Sequence, residues 1–186
     1  IPTLDTTEEG WKAGPDAALI AAPTNMHVLL AIEAAEQGCH LFIEKPLSHC
    51  LDGVDELLAA AAHRKLIALV GCNMRFHHGP STIKRLLDQN AIGTVISAMI
   101  DIGQYLPDWH PGEDYRRSYS ANASVGGGVV LDAIHEIDYA RWLFGDVAEV
   151  CAQGGKLSSL EIETEDTANI LMKTVTGPSV FIHLDY

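Results

Sequence analysis

The spacing of apolar and polar positions changes character about two-fifths of the way along this chain. From Asp16 to Ala22 nearly every residue is apolar (Asp-Ala-Ala-Leu-Ile-Ala-Ala). Such a short unbroken run suits a strand buried on both faces of a parallel sheet. Pro23-Thr24-Asn25 interrupts it, and Thr24 or Asn25 is placed to cap a helix whose apolar stripe is Val28, Leu29, Ile32 and Ala35. Gly38 stands where that helix should close. A second strand, Cys39 to Ile43, ends in Glu44-Lys45-Pro46. Ser48 opens another helix, striped by Leu51, Val54, Leu57, Leu58 and Ala61, and Leu66 to Gly71 forms a third strand. Strand, helix, strand, helix, strand predicts a parallel sheet with right-handed crossovers. Ligands meet such sheets at the carboxyl ends of the strands, so Pro23-Thr24-Asn25, Glu44-Lys45-Pro46 and Gly71 to Arg75 should share one rim.

The pattern then loosens. Pro80 to Gln89 has helical spacing, with Ile83, Leu86 and Leu87 on one stripe. Val95 to Gln104 alternates, placing Ile96, Ala98 and Ile100 on one side. A polar, aromatic loop runs from Tyr105 to Ser124. Gly126-Gly127-Gly128 leads into a helix ending near Phe144-Gly145. Val147 to Gly154, Thr167 to Thr174 and Ser179 to Tyr186 are strand-like. This half predicts an open, largely antiparallel sheet with helices on one face. The fold class expected is α/β: a partial Rossmann-type parallel sheet over residues 1–73, then an α+β domain over 74–186.

Composition narrows the function classes. Hydrophobic residues make up 47% of the 186, enough for a packed core. Twelve basic against 25 acidic residues give a net charge of −13, which leaves no basic stripe for nucleic acid or an anionic membrane. No apolar run approaches the length of a membrane span. Cys39, Cys50, Cys72 and Cys151 form no Cys-x-x-Cys pair and no zinc spacing, which points to a reducing, cytoplasmic setting.

The chemistry concentrates in two places. Lys45 lies at a strand's carboxyl end, with Glu44 beside it to hold an ammonium and Pro46 to stiffen the turn. X-Pro bonds are also where cis peptides occur. A partly buried lysine can work as acid or base near neutral pH. Asp132 and His135 are three apart, which puts both on one face of a continuous helix, with Asp138 or Tyr139 a turn further on. Asp132, His135 and Asp138 could instead ligate a metal, although no second histidine falls at metal-binding spacing there. Asn73 and Arg75 offer amide and guanidinium contacts on the rim. His77 and His78 are adjacent and suit a loop. Between Tyr105 and Tyr119, aromatic rings such as Trp109 and Tyr115 alternate with polar tips, a mixture suited to a polyhydroxylated ligand or to an ordinary lid.

In this order, the segment Asp16 to Asn25 with His27, Glu44-Lys45-Pro46, Gly71-x-Asn73-x-Arg75-Phe76, and the glycine triplet followed by Asp132, His135 and Asp138 resemble the Gfo/Idh/MocA oxidoreductases. The spacing Asp-x-x-His looks like one branch; many members carry one residue more. The resemblance implies a Rossmann domain followed by an α/β domain whose open sheet packs in homo-oligomers. It implies hydride transfer between NAD or NADP and a sugar or polyol, with Lys45 and His135 as acid/base residues and Asp132 orienting the imidazole and the substrate. It implies that Pro23, Thr24, Asn25 and His27 lie along the nicotinamide, that Glu44 and Lys45 contact its ribose, and that Arg75 lies near the reacting centre; Asn73 and Arg75 are both expected to bind cofactor. From the chemistry of their loop, Trp109 and Tyr115 are expected on the substrate side. The family's first strand and Gly-x-Gly-x-x-Gly turn, which receive the pyrophosphate, do not fit into residues 1–14. The sequence is therefore expected to be part of a longer enzyme, binding cofactor poorly by itself. The rival expectations are a non-catalytic sugar-binding relative and a metal-dependent hydrolase or lyase built on the Asp132 helix.

Overall fold

A computed structural model describes residues 3–175 and 177–186. The chain divides into two compact units between Gly71 and Cys72.

In the first unit, β1 (Ala17–Ile20), β2 (His40–Ile43) and β3 (Ala68–Val70) form a parallel sheet in that order. α2 (Thr24–Glu36) and α3 (Val54–Arg64) make the crossovers. α1 (Thr7–Lys12) precedes β1 and is tied to α2 by Trp11 Nε1, which donates to Glu33 Oε1 at 2.6 Å. The core forms where Ile20, Leu41 and Ile43 meet Val28, Ala31, Ala34, Ala35 and Leu57. Three alanines on one helix face let α2 lie close to the strands. Burying a side chain such as Ile43 contributes roughly 1.5–3 kcal/mol.

Burial on both faces of this sheet, expected from the unbroken apolar runs, is not what the described residues form. Ile20, Ile43 and Val70 share the covered face in register, but Leu19, Phe42 and Leu69 line up across the other, and Leu19 is 72% exposed. A run that is apolar at every position carries no mark of which face a helix covers. Two helix starts also differ. Pro23 is the N-cap of α2, so Thr24 and Asn25 fall inside its first turn, and Leu29 is exposed. α3 begins at Val54 rather than Ser48, because Gly53 adopts a left-handed conformation that a preceding turn of helix could not continue through; Leu51 and Leu58 are exposed.

The second unit begins with a single 3₁₀ turn (Asn73–Phe76) and α4 (His78–Asp88), so His78 opens a helix rather than lying in a loop, and His77 caps it. β4 (Ser97–Gly103), β5 (Val147–Gly155), β6 (Thr167–Thr174) and β7 (Ser179–Asp185) form one sheet in the order β4-β7-β6-β5. β5, β6 and β7 pair antiparallel, whereas β4 joins β7 in parallel, so the sheet is mixed. α5 (Val129–Asp132) and α6 (Ile134–Phe144) follow the glycine triplet. Val129 and Ala140 pack with Ile170, Met172, Val180, Ile182 and Leu184 into the core. Ala98 and Ile100 join it, while Ile96 lies before the strand and is exposed. The opposite sheet face carries Met99, Phe181, Leu171 and Cys151 in one cross-strand row; Met99 is 74% exposed. Asp166 is fully buried beneath the 157–158 turn, where it accepts from the Leu157 and Ser158 amides and the Ser158 hydroxyl. Burial pushes its carboxyl up, but these donors outweigh that and hold it below the usual range. Among the described residues, no helix is long and apolar enough to cross a membrane.

Candidate functional site

The rim of the first unit is built by the ends of β1 and β2. The Glu44 amide donates to Ile20 O at 2.8 Å and the Gly71 amide to Ile43 O at 2.7 Å, so the parallel ladder continues one residue past the strands and sets the three turns side by side. Pro23, Thr24 and Asn25 leave β1 into α2; Glu44, Lys45 and Pro46 leave β2, with Lys45–Pro46 cis. The structure therefore brings these six residues to one set of strand ends. Thr24 is buried, and Asn25, Glu44 and Lys45 are half-buried. The Glu44 carboxylate lies over Gly71, where an added Cβ would come within 3.1 Å of Oε2.

His27 is placed differently from the expectation of a ligand contact. Its ring is buried beneath the rim, with Nδ1 2.8 Å from Pro46 O and Nε2 2.8 Å from Ala22 O. Both nitrogens are engaged by backbone carbonyls, so the imidazole links the two turns from below.

In the second unit Arg75 is also committed within the protein. Its Nε and Nη2 donate to Asp138 Oδ2 and Oδ1 at 2.8 and 2.6 Å, a bidentate pair joining the 3₁₀ turn to α6. Burial raises the Asp138 carboxyl, but the Arg75 guanidinium outweighs it and holds the group below its ordinary value. Asp138 is thus drawn toward Arg75, while Asn73 is exposed.

The glycine triplet is a close-approach device. A Cβ on Gly127 would sit 2.3 Å from Tyr119 O and 2.7 Å from Ser120 O, and Gly128 has φ +114°. Only glycine lets the chain pass under these carbonyls and turn into α5. Glu165 covers the start of that helix: its carbonyl accepts from the Val129 amide and its carboxylate from the Val130 amide. One continuous helix carrying Asp132 and His135 on one face is not formed. Ala133, at φ −92° and ψ 29°, ends α5 at Asp132 and starts α6 at Ile134. Asp132 is therefore the last residue of one helix, and His135 lies in the first turn of the next.

Tyr186, read from the sequence only as the end of a strand, reaches this corner. Its hydroxyl donates to Asp132 Oδ2 at 2.5 Å, and its ring meets the Trp109 indole edge-on with centroids 5.5 Å apart. Burial, followed by the Asp132 charge, pushes the Tyr186 phenol far up. Trp109 itself donates Nε1 to Gln104 O, and Tyr115 Oη accepts from the Glu161 amide. Both rings are half-buried against the core. Neither Tyr186 nor Glu165 carried a sequence signal, because each acts on a residue more than 30 positions away.

Residues 4–72 match the model of an oxidoreductase family described as an NAD-binding Rossmann fold, and residues 81–186 match the GFO/IDH/MocA C-terminal domain. The chain belongs to the Gfo/Idh/MocA oxidoreductases. Its relatives in that family include the uncharacterized oxidoreductase YrbE of Bacillus subtilis, 36% identical over 172 residues that cover 90% of this chain and 48% of YrbE. The myo-inositol 2-dehydrogenase of Thermotoga maritima is 34% identical over 167 residues, 87% of this chain and 47% of that protein. Among solved structures, a probable dehydrogenase from Thermotoga maritima superposes with a TM-score of 0.74 at 32% identity, covering 90% of this chain and 49% of that one. The Bordetella pertussis WlbA dehydrogenase, crystallised with NADH and UDP-GlcNAcA, shares the fold with a TM-score of 0.83 at 22% identity, covering 98% and 52%. The chain spans about half the length of the curated relatives it matches. The division between Gly71 and Cys72 falls at the end of the first matched segment and before the second.

Proposed function

We propose that this chain carries the nicotinamide side and the substrate side of an NAD(P)-dependent dehydrogenase acting on a hydroxyl carbon of a sugar, sugar derivative or polyol. The observation that carries the proposal is the Lys45 turn. It stands at the carboxyl end of a parallel strand, beside the Pro23 turn, in a unit that matches an NAD-binding Rossmann family. The donors and acceptors there suit the nicotinamide–ribose end of a dinucleotide: the Thr24 hydroxyl and Asn25 amide on one turn, the accepting Glu44 carboxylate and donating Lys45 ammonium on the next. Among the described residues, β1 is preceded by α1 and not by a strand with a glycine-rich turn, so no pyrophosphate cradle is assigned here.

When bound, nicotinamide supplies the acceptor for a hydride leaving the carbinol carbon. The protein's work is then to move the hydroxyl proton and hold the alcohol. We assign the proton to Lys45, His135 or both, since an amine and an imidazole can each take up and release one. Asp132 accepts a substrate hydroxyl and orients the imidazole, its own carboxylate steadied by Tyr186. Arg75 works through Asp138, which fixes the turn that bears it and Asn73. Trp109 contributes as the wall behind Tyr186, and Tyr115 as an anchor of the following loop.

The same reading places the protein in the cytoplasm, with Cys39, Cys50, Cys72 and Cys151 as thiols. It makes the open face of the second sheet a self-association surface, its apolar row of Met99, Phe181 and Leu171 meeting a second copy. Full-length protein incubated with NAD+ or NADP+ and a panel of inositols and sugars should generate reduced nicotinamide, read by its near-ultraviolet absorbance. Protein that binds dinucleotide yet reduces none with any polyol would remove the dehydrogenase assignment.

A further inference from the structure

We infer that His27 is a positioning residue for Lys45, fastening the Lys45–Pro46 turn to the end of β1 through both ring nitrogens. The inference rests on the reading of Lys45 as an acid/base residue. Lys45 lies between two anchored neighbours. On its amino side Glu44 is held to β1 by its amide, which donates to Ile20 O at 2.8 Å. On its carboxyl side the Pro46 carbonyl lies 2.8 Å from His27 Nδ1. The other ring nitrogen, Nε2, lies 2.8 Å from Ala22 O, at the start of the Pro23 turn. One side chain thus spans the two turns that the proposed function uses, and it does so from the buried face: His27 is 1% exposed.

The chemistry of the two partners sharpens the inference. A carbonyl oxygen only accepts, so a ring nitrogen bonds to it only while carrying a hydrogen. One ring N–H holds a turn as donor, and the width of the imidazole sets its other nitrogen against the second turn at the same distance. No other side chain of its size spans both carbonyls. Asparagine reaches as far as Nδ1 and glutamine as far as Nε2, and each restores one end alone.

Two measurements test this. The first is the ring ¹⁵N spectrum of wild-type protein labelled at histidine, with His27 assigned through its contact to Pro46. A His27 ring N–H should be protected from exchange with water, as befits a donor to a carbonyl beneath the rim. A ring N–H that exchanges as fast as those of the exposed histidines would overturn the inference, whatever the enzyme does. The second is kinetic, in full-length protein. His27→Asn and His27→Gln should each lower kcat at least tenfold while dinucleotide Kd stays within about threefold, the pattern of a displaced reacting group. A folded variant of either kind with wild-type kcat would also overturn it. Lys45→Met assayed alongside separates the two ideas. If Lys45→Met turns over like wild type, the acid/base reading of Lys45 falls, and the ring spectrum alone still decides whether the buried contact exists.

Discussion

Tyr186 and Asp132, 54 residues apart in sequence, meet in a 2.5 Å hydrogen bond in which the phenol donates and the carboxylate accepts. Bonds to a charged acceptor contribute about 1.5–3 kcal/mol, so this contact fixes the end of α5 as well as the carboxylate. Tyr186→Phe keeps the ring against Trp109 and removes the donor. It is expected to lower thermal stability by about 1–2 kcal/mol and to lower kcat with sugar substrate about tenfold. Calorimetry and steady-state kinetics on the same preparation check both. Unchanged kcat would confine Tyr186 to a structural role.

The same burial has an alkaline signature. Tyr186 is pushed far above the ordinary phenol value and Tyr139 up to about 12, in each case first by burial. A phenol whose folded value is raised contributes stability that is fully present below its unfolded value of about 10 and is lost as pH rises through the folded one. In an ultraviolet titration, these two of the five tyrosines should stay protonated near pH 11 in native protein and ionise only as it unfolds. Free titration of all five below pH 11, with the fold intact, would contradict their burial.

Arg75 and Asp138 give the acid counterpart. Asp138 is held below the usual carboxylate range, so its contribution is present above the unfolded value near 3.9 and is lost as pH falls through the folded one. Asp138→Asn should cost about 1–2 kcal/mol at neutral pH, discounted because the Arg75 side chain is 41% exposed. The difference between variant and wild type should shrink as acid protonates Asp138, which happens below the ordinary carboxylate range. A series of denaturant titrations from pH 7 down into the acid range measures this directly.

Gly127 tests the close approach before α5. An alanine methyl there would sit 2.3, 2.7 and 2.9 Å from the carbonyl oxygens of Tyr119, Ser120 and Asn122. All three are backbone atoms and cannot swing aside. Gly127→Ala should destabilise by roughly 1–3 kcal/mol, the range for overpacking a closed site, and displace α5 with it. A variant that melts like wild type would show that the 119–122 turn yields easily.

Much of this architecture was legible in the sequence, for local physical reasons. The parallel strands declared themselves as apolar runs ended by Pro23 and Pro46, and the rim followed from where those runs stop. The glycine triplet signalled close backbone approach, and the structure supplies the Tyr119 and Ser120 carbonyls that require it. What failed to show lies in contacts between distant residues or in single dihedral angles. Nothing in Leu131-Asp132-Ala133-Ile134-His135 announces that Ala133 breaks the helix, because alanine is the best of helix formers. His27 was expected beside the nicotinamide by resemblance alone; its ring turns beneath the rim to meet two carbonyls. Leu19 and Leu69 read as buried because hydrophobicity records a preference, not which neighbour satisfies it.

The central claim is that Lys45 moves a proton during hydride transfer, and its substitution in full-length protein tests that most directly. Lys45→Met keeps the length of the side chain and removes the amine. General acid–base catalysis typically supplies about 10²–10⁴ in rate, so kcat should fall at least a hundredfold while dinucleotide Kd, read by fluorescence titration, changes only a few-fold. Turnover by Lys45→Met at the wild-type rate would contradict that claim and remove Lys45 from the catalytic role.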